Sequence, residues 1–496
     1  MADVMDSDGS VLQRVQNDVK TRSCLRRYLE WDGCLVTSSM AGVLLGFAVG
    51  FTLYYVGAPG ETLVWIGLPG ELYMRMLKAA VLPLVICSII TGTASLKPKE
   101  NGRVTLVCLS YMIITNVIGA VIGTLIAVIV RPGNTIDGAS EILGSSVDTG
   151  NLQPLDLFAD LIRNLIPDNL VSACFQKSQT RYREKQPLNT TNSTEYERYL
   201  GTAGGTNILG LVISCAVVGM AAAHIEDEAR PFLNFFRSAT DVMLCLVQWL
   251  IMFTPIGAAS LIAKSVGGSS DIAETFRGVG MFVLAESVGN LVLCFVLTPV
   301  LYVVFIRQNP LTFLASCARP VIAVAVPPSS AVGIPEMLTC LETRYGVDSR
   351  VSRFVVPLLA SLNRDGSAMF MAVTSVYIAQ IHGIHSAGTL VLLTLLVAVG
   401  SLAVPAIPSS SVITALMILD SMDIPPANIG IIIALEWYSD RFRTGTNGFS
   451  HIMGGVITWR FCRNTLDAAV SRPAAGLLDT DLAVDVDARH NELSEL

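Results

Sequence analysis

Blocks of about 20 apolar residues recur along the chain, and each is long enough to cross a bilayer core as a helix. Of the 496 residues, 52% are hydrophobic and only 15% are charged, whereas a soluble protein carries roughly 25% charged residues. Backbone polar groups inside a bilayer must be bonded within the protein, and helices satisfy that requirement. The sequence therefore predicts an all-α integral membrane protein. The net charge of −7 is uninformative, because the acidic tail supplies much of it, and no stretch of the sequence resembles a basic nucleic-acid surface.

The distribution of basic residues predicts the orientation of the first spans. The N-terminal segment 1–35 is basic, which places it in the cytoplasm by the positive-inside rule. Spans are predicted at about 36–56, 72–96 and 104–130, with a short basic turn between the second and the third. The 11 cysteines include no Cys-x-x-Cys pair, so neither a zinc site nor a disulfide framework is predicted. No cleavable signal peptide is predicted either, because the first 35 residues are polar.

The long polar segment 131–205 follows the third span, so span parity places it outside the cell. It contains two glycosylation acceptor sequences, which begin at Asn189 and Asn192. We therefore expect a glycosylated extracellular loop here. The acidic tail 467–496 is expected in the cytoplasm.

Two proline-rich and serine-rich breaks interrupt the apolar segments of the C-terminal half, at 326–335 and 403–412. Neither can be a continuous helix, since proline removes a donor and clashes with the preceding turn. Irregular backbone at membrane depth survives where it is buried in protein or lines a cavity. Paired breaks in two repeats are typical of a transporter binding site. Helices kinked for stability would explain either break alone, but not both with polar helices after them.

A polar stripe follows the second break. Glu436, Asp440, Arg443, Asn447 and His451 are spaced by threes and fours, so they share one face of a helix with apolar flanks. Ionisable groups at membrane depth are expensive and usually mark a substrate or ion path. The alternatives are a short cytosolic helix or an internal ion pair that binds no ligand. The helix after the first break is predicted to carry a second polar motif, 363–367.

Two motifs, Asn-Arg-Asp-Gly from Asn363 and Asp-Arg-Phe-Arg-Thr-Gly-Thr-Asn from Asp440, resemble the glutamate and neutral amino-acid transporters of the solute carrier 1 family. Shorter matches lie at 82–88, 207–211, 353–357 and 378–380. The resemblance extends over roughly 35–466. It implies eight transmembrane helices plus two re-entrant helical hairpins, inverted repeats, a homotrimer and an elevator-type mechanism. It also divides the transporter domain, 36–466, into scaffold spans, about 36–96 and 206–266, and transport spans, about 104–130 and 279–466.

The resemblance implies roles for individual residues. Asp440 would bind the substrate ammonium, Asn447 and Ser367 its α-carboxylate, and Arg443 a side-chain carboxylate. A guanidinium matches a carboxylate bidentately, so Arg443 favours glutamate or aspartate as substrate. The implied substrate-binding set is Ser329, Ser330, Ser367, Asp440, Arg443, Thr444 and Asn447. The implied sodium ligands are Thr115, Asn116, Ser361, Asn363, Asp365, Ser401 and Asn447.

Three departures from the family pattern fall on the coupling residues. Arg364 replaces a methionine beside a sodium site, Met371 stands at the acidic position tied to proton and potassium coupling, and His451 replaces a sodium-ligating aspartate. Two unit charges about 4 Å apart repel by roughly 4 kcal/mol at an effective dielectric of 20. Arg364 is therefore expected to weaken sodium binding. The alternative is that Arg364 snorkels, or pairs with a carboxylate elsewhere.

The sequence thus predicts a secondary active transporter of acidic amino acids in the plasma membrane, with altered cation coupling. Sodium is the expected cofactor, and no organic cofactor is expected. The expected partners are the amino-acid substrate, the lipid bilayer and two further copies of the chain. A neutral amino-acid exchanger and a substrate-gated anion channel remain alternatives. An intramembrane enzyme built on residues 409–411, His451 and Asp440 is not favoured, because no nucleophile elbow accompanies them.

Overall fold

The structure is a computed structural model that describes residues 37–94, 98–133, 154–184, 196–269, 271–404, 410–426 and 429–470. Within these ranges all regular elements are helices except two strands, which pair to form one sheet. The predicted all-α fold class is confirmed. The predicted glycosylation sites Asn189 and Asn192 lie outside the described residues, as do segment 1–35, positions 405–409 of the second break and most of the acidic tail.

Three long apolar helices open the described chain: α1 (Thr37–Val56), α2 (Gly60–Ala94) and α3 (Pro98–Val130). The second begins well before residue 72, where hydropathy alone placed its start. Glu61 in its first turn complements the positive end of the helix dipole, so the polar start is compatible with a helix. The connection from α1 shortens to residues 57–59, and Gly57 makes the turn with φ +65°.

Part of the predicted outer loop has regular structure, which the sequence did not lead us to expect. Its elements are α4 (Pro154–Leu165), α5 (Leu170–Ala173), β1 (Gln176–Glu184) and β2 (Tyr196–Gly204). The strands are antiparallel, with Gln176 opposite Gly204. Asp160 of α4 ties this hairpin down, because one carboxylate oxygen accepts from the Thr180 backbone N–H and the other from its hydroxyl, both at 2.6 Å.

The β-hairpin also contacts the C-terminal part of the chain through Lys177, which is only 8% exposed. Its ammonium group lies 3.1 Å from an oxygen of Asp423 and donates to the carbonyl oxygen of Ser421. Burial lowers the pKa of Lys177, and the nearby carboxylates partly offset that effect. A buried ammonium thus joins the outer hairpin to the segment around residue 423.

The middle of the chain forms α6 (Ile208–Ile225), α7 (Arg230–Ile251), α8 (Thr254–Gly267), α9 (Ile272–Val292) and α10 (Thr298–Ile306). α7 and α8 meet at 55°, where Pro255 cannot donate to the preceding turn. A π turn, Leu293–Leu297, joins α9 to α10 without ending the span. Among the described residues, five helices are long and apolar enough to cross a membrane, and the α7–α8 pair makes a sixth candidate.

The C-terminal half forms shorter helices around one long one: α11 (Pro310–Ala325), α12 (Ile334–Arg344), α13 (Ser349–Leu362), α14 (Asp365–Ile381), α15 (Ala387–Gly400), α16 (Ser410–Ser421) and α17 (Ile429–Val470). α11 and α12 flank the first predicted break, and α15 and α16 flank the second. Every residue of α14 is buried, with α3, α9, α16 and α17 packed around it. A separate set, α6, α7 and α8, packs against α2.

Candidate functional site

The helical backbone is interrupted at Asn363 and Arg364, between α13 and α14. The prediction of a helix through 363–367 is therefore wrong for its first two residues. Arg364 has φ −137° and ψ 43°, outside the helical region. The Asn363 amide is fixed on both sides: its Oδ1 accepts from Thr115 at 3.2 Å and its Nδ2 donates to Ser450 at 2.8 Å. Asn and Asp side chains compete with helical bonding, and here side chains of other helices bond the backbone of the break, Asn116 at the Arg364 N–H and His451 at the Asn363 carbonyl oxygen.

The predicted polar stripe of α17 is one face of a helix, and all of its members are buried. It lies against the start of α14, where Gly366 permits close approach. A Cβ at Gly366 would lie 2.8 Å from the Arg443 carbonyl oxygen. The Gly366 N–H donates to Asn447 Oδ1 at 2.9 Å, and Asn447 Nδ2 is 3.4 Å from the Ser367 hydroxyl. The structure thus brings together Ser367 and Asn447, two residues of the implied substrate set.

Arg443 is the largest fully buried side chain, at 1% exposure. Its guanidinium donates to both oxygens of Glu436, at 3.2 and 2.5 Å, and lies 2.8 Å from an oxygen of Asp440. The carbon at its centre is 4.6 Å from the ring centroid of Phe370. Two carboxylates of its own helix and an aromatic face therefore fix this cation.

Arg364 is also buried, at 5% exposure. Its guanidinium donates to the Ser330 hydroxyl at 3.3 Å and to the Ala360 carbonyl oxygen at 2.9 Å. Its backbone N–H donates to Asn116 Oδ1 at 3.1 Å. It neither snorkels nor forms an ion pair with a carboxylate of the described residues. A second fixed positive charge thus links two interruptions of the helical structure. One is the connection between α11 and α12, which is the tip of the first hairpin and contains Ser330, and the other is the break before α14.

His451, at 0% exposure, is the second departure that the structure places at this break. Its Nε2 lies 3.0 Å from the Asn363 carbonyl oxygen. That oxygen can only accept, so the ring nitrogen donates. Met371, the remaining departure, lies on the buried α14 in the main apolar core. Imidazole and guanidinium groups therefore occupy the site where the resemblance implies cation ligands.

A model of the sodium:dicarboxylate symporter family matches residues 35–461. The chain belongs to this family. Its relatives are transporters, so this symporter is a transporter and not an enzyme.

Several curated relatives of the symporter match over most of their length. Excitatory amino acid transporter 2 of Rattus norvegicus is 32% identical over 464 residues, covering 88% of this chain and 80% of the relative. Neutral amino acid transporter B(0) of Oryctolagus cuniculus is 33% identical over 447 residues, covering 89% and 82%. An excitatory amino acid transporter of Caenorhabditis elegans is 29% identical over 458 residues, covering 88% and 89%.

Several of the oxygens that the resemblance implies as sodium ligands accept hydrogen bonds from the chain itself. Asn116 Oδ1 accepts from Arg364, Asn447 Oδ1 from Gly366 and the Asn363 carbonyl oxygen from His451. The Ser361 side chain is exposed and donates to its own helix, and the buried Ser401 hydroxyl donates to Ala398. Sodium needs several oxygen lone pairs that no donor has taken, and a nearby guanidinium opposes it.

The remaining predicted residues lie at the edge of this cluster. Thr444 and Asp365 are buried beside it, Ser330 contacts Arg364, and Ser329 is half-buried at the hairpin tip with its N–H bonded to Val324. The described part of the structure therefore brings together predicted residues of α3, the α11–α12 connection, the start of α14 and α17. The cluster does not include Ser361 or Ser401, whose hydroxyls donate within their own segments.

Sequence analysis assigned no role to four polar residues at the interface of α9 and α17. Glu286, at 0% exposure, accepts from the Ser439 hydroxyl at 2.7 Å. Asn290 accepts from Thr446 at 2.8 Å. The spacing of Glu286 and Asn290, one helical turn apart in an apolar span, was the available signal. Their partners are more than 150 positions away, so the sequence alone did not identify them.

Proposed function

We propose that this symporter transports acidic amino acids, aspartate or glutamate, across the plasma membrane by a secondary active mechanism with altered cation coupling. The observation that supports it is the buried Arg443–Asp440 pair, 2.8 Å apart. An acidic amino acid carries an ammonium group for Asp440 and a side-chain carboxylate for Arg443. Its binding replaces one internal ion pair by two, so neither buried charge loses its counterion.

Glu436 gives Arg443 its orientation in this scheme. The bidentate bond holds the guanidinium in one plane, with Phe370 against its face. The edge toward Asp440 then faces the substrate. A donor that is already oriented loses little conformational entropy when the carboxylate binds.

The α-carboxylate of the substrate is assigned to Asn447 and Ser367. Their mutual contact of 3.4 Å is long for a hydrogen bond, so it costs little to replace. Ser329 and Ser330 at the tip of the first hairpin complete the site. The Ser330 hydroxyl already contacts Arg364, so the positive charge of Arg364 lies beside the substrate's negative end.

The altered coupling follows from Arg364 and His451. Arg364 supplies a positive charge and His451 an N–H donor at positions where a sodium-coupled symporter has groups that surround the ion. Both groups are fixed to the chain. Substrate binding then needs little added cation, because charge compensation is built in. We accordingly assign no step of the cycle to sodium.

The movement proposed for the cycle is an elevator motion of the transport spans, 104–130 and 279–466, against the scaffold spans, 36–96 and 206–266, within a homotrimer. Support comes from family membership and from packing, since α3, α9 and α17 surround α14 while α6, α7 and α8 pack on α2. Both termini are assigned to the cytoplasm and 131–205 to the outside.

Exchange of neutral amino acids is the second candidate, and one observation favours it. Glu436 alone neutralises Arg443 through two bonds, so a substrate without a side-chain carboxylate would not leave Arg443 unpaired. Its ammonium group would still bind Asp440. The two candidates therefore differ in whether the Arg443–Asp440 pair opens.

Uptake into liposomes separates these functions. The purified full-length protein is reconstituted, and uptake of labelled aspartate, glutamate and serine is measured in sodium and in choline buffer. We expect aspartate or glutamate uptake that exceeds serine uptake and persists in choline. Serine uptake that requires serine inside the liposomes would support the neutral exchanger. Chloride current gated by aspartate without labelled uptake would support the channel, and either result would overturn the proposal.

A further inference from the structure

Glu286 is a buried carboxylate that the proposed binding site does not use. Its side chain is 0% exposed and lies in the middle of α9. Oε2 accepts one bond, from Ser439, whereas Oε1 has no partner among the described residues. An ionised carboxylate offers about four acceptor sites, and an isolated buried one is strongly disfavoured. The protonated form requires fewer partners, so this environment suits a carboxyl group that gains and loses a proton.

The charges around Glu286 also suit a carboxyl group that gains and loses a proton. Arg443, Glu436 and Asp440 of α17 act on it, but Arg443 is bonded to the other two carboxylates and forms no ion pair with Glu286 within the described part of the chain. Arg364 also acts on Asp440, so these three carboxylates share two guanidinium groups and one negative charge is in surplus. Binding one proton removes that surplus before an acidic substrate adds its own charge.

The other helices that pack on α9 contribute few titratable groups. On α14 the Tyr377 ring packs 5.2 Å from that of Phe282, one turn before Glu286. Asp365, at the start of α14, acts on Cys294, two turns after Glu286. The part of α3 from 116 to 130 has no titratable side chain. After burial itself, the α17 groups are therefore the main influence on the protonation of Glu286.

A second hydroxyl contact lies at the same helix interface. The half-buried Ser287 hydroxyl donates to the Val283 carbonyl oxygen at 2.6 Å and lies 2.8 Å from the Tyr438 hydroxyl. These residues adjoin Glu286 and Ser439 in sequence, so two polar contacts between α9 and α17 hold the carboxyl group of Glu286 in place.

We propose that Glu286 is a proton-binding site of the transport cycle. Its carboxylate takes a proton from water on one side of the membrane, and the O–H bond breaks again on the other side. One unpartnered oxygen suits a proton better than a metal ion, and the described residues contain no cluster of three or more metal-ligating side chains. This inference rests on the proposed transport function, since the proton moves with the substrate.

The test replaces Glu286 by Gln, which has the same shape and keeps an oxygen for Ser439. Liposomes containing the full-length protein and an internal pH dye receive labelled aspartate. In the wild type we expect acidification that accompanies uptake, and uptake that rises as the outside pH falls. In Glu286→Gln we expect acidification at the level of protein-free liposomes, with aspartate exchange retained. Glu274→Gln, which removes a carboxylate from the first turn of the same helix, is the matched control.

Unchanged acidification per aspartate in Glu286→Gln would overturn the inference. If that variant does not fold, Ser439→Ala provides the second test. Loss of the one donor disfavours the carboxylate, so the pH midpoint of uptake should move upward by about one unit, and an unmoved midpoint would also overturn it. Absence of aspartate uptake in the wild type would instead refute the transport function itself.

Discussion

At the residue scale, Arg443 is expected to decide the substrate class. Replacing it by Cys removes the partner of a substrate carboxylate, so aspartate affinity should fall by at least about 30-fold, the effect of breaking a desolvated charge pair worth roughly 2–5 kcal/mol. Small neutral amino acids should gain the vacated space. Competition by aspartate, glutamate, serine and alanine against labelled substrate measures both effects.

Two further variants control this experiment. Arg441→Cys removes a guanidinium two positions away that donates to the Trp437 carbonyl oxygen of its own helix, and it should leave the substrate order unchanged. The double variant Arg443→Cys with Glu436→Gln removes the carboxylate that would otherwise be left buried beside the missing guanidinium. An unaltered preference for aspartate in both Arg443 variants would show that Arg443 does not select the substrate.

Arg364 and His451 are expected to reduce the need for sodium. With Arg364→Met, aspartate affinity in choline buffer should fall by about tenfold or more, because a buried positive charge beside the substrate is lost. Sodium should then restore part of it. Adding His451→Asp should strengthen the sodium dependence, since the N–H donor to the Asn363 carbonyl oxygen is lost and a carboxylate beside that oxygen offers further oxygens to a cation. Binding is measured as a function of sodium concentration.

Ser330→Ala separates charge from hydrogen bonding in that series. It removes one bond to Arg364 and keeps the guanidinium, so aspartate binding should remain independent of sodium. A wild type that already requires sodium, and whose requirement Arg364→Met leaves as it was, would contradict the role of Arg364.

The neighbours of a residue could be predicted from the sequence where they lie on the same helix. The α17 stripe could be predicted because a helix places residues three and four apart on one face. The internal pairing of Arg443 was not predicted as its main contact, although Glu436 is in the same stripe. The bonds of Arg364 to Ser330 and of Glu286 to Ser439 join distant segments, and they depend on how whole helices dock.

At the element scale, the β-hairpin is expected to restrain the moving part of the molecule. Its Lys177 bonds the segment around Asp423, so an elevator motion must break this link. Asp423 is half-exposed, and such pairs contribute about 0.2–1 kcal/mol. Asp423→Asn should therefore raise the maximal uptake rate, by up to about fivefold. Initial rates at saturating aspartate test this.

Asn suits position 423 because the residue has φ +56°, a conformation that Asn tolerates. Asp168→Asn, an exposed carboxylate of the same outer segment, is the matched control and should leave the rate unchanged. A rate in Asp423→Asn equal to that of Asp168→Asn would mean that the hairpin does not limit the cycle.

The ends of helices could be predicted from the sequence where a proline, or the length of an apolar segment, determines them. The first predicted break, 326–335, corresponds to the non-helical residues 326–333 between the end of α11 at Ala325 and the start of α12 at Ile334, so α12 begins two residues before the predicted end of the break. The break before α14 has no proline and arises from Asn363, Arg364 and the close approach at Gly366, so the pattern did not reveal it. The outer strands are polar, and the long-range contact of Asp160 with Thr180 stabilises them.

At the scale of the whole molecule, glycosylation tests the orientation. Residues 189 and 192 lie between β1 and β2, in the segment assigned to the outside. Replacing both asparagines by Gln should increase gel mobility to that of glycosidase-treated protein. A wild type whose mobility glycosidase does not change would leave the outside assignment without support.

The bond between His451 and the Asn363 carbonyl oxygen has an energetic consequence for the cell. A mobile ion has a different chemical potential on each side of the membrane, and each elementary charge that crosses is worth about 2.3 kcal/mol per 100 mV. An imidazole fixed to the chain is present at the same effective concentration on both sides. It supports binding equally in each orientation and supplies no driving force, so the accumulation ratio of the amino acid is set by whatever else crosses with it.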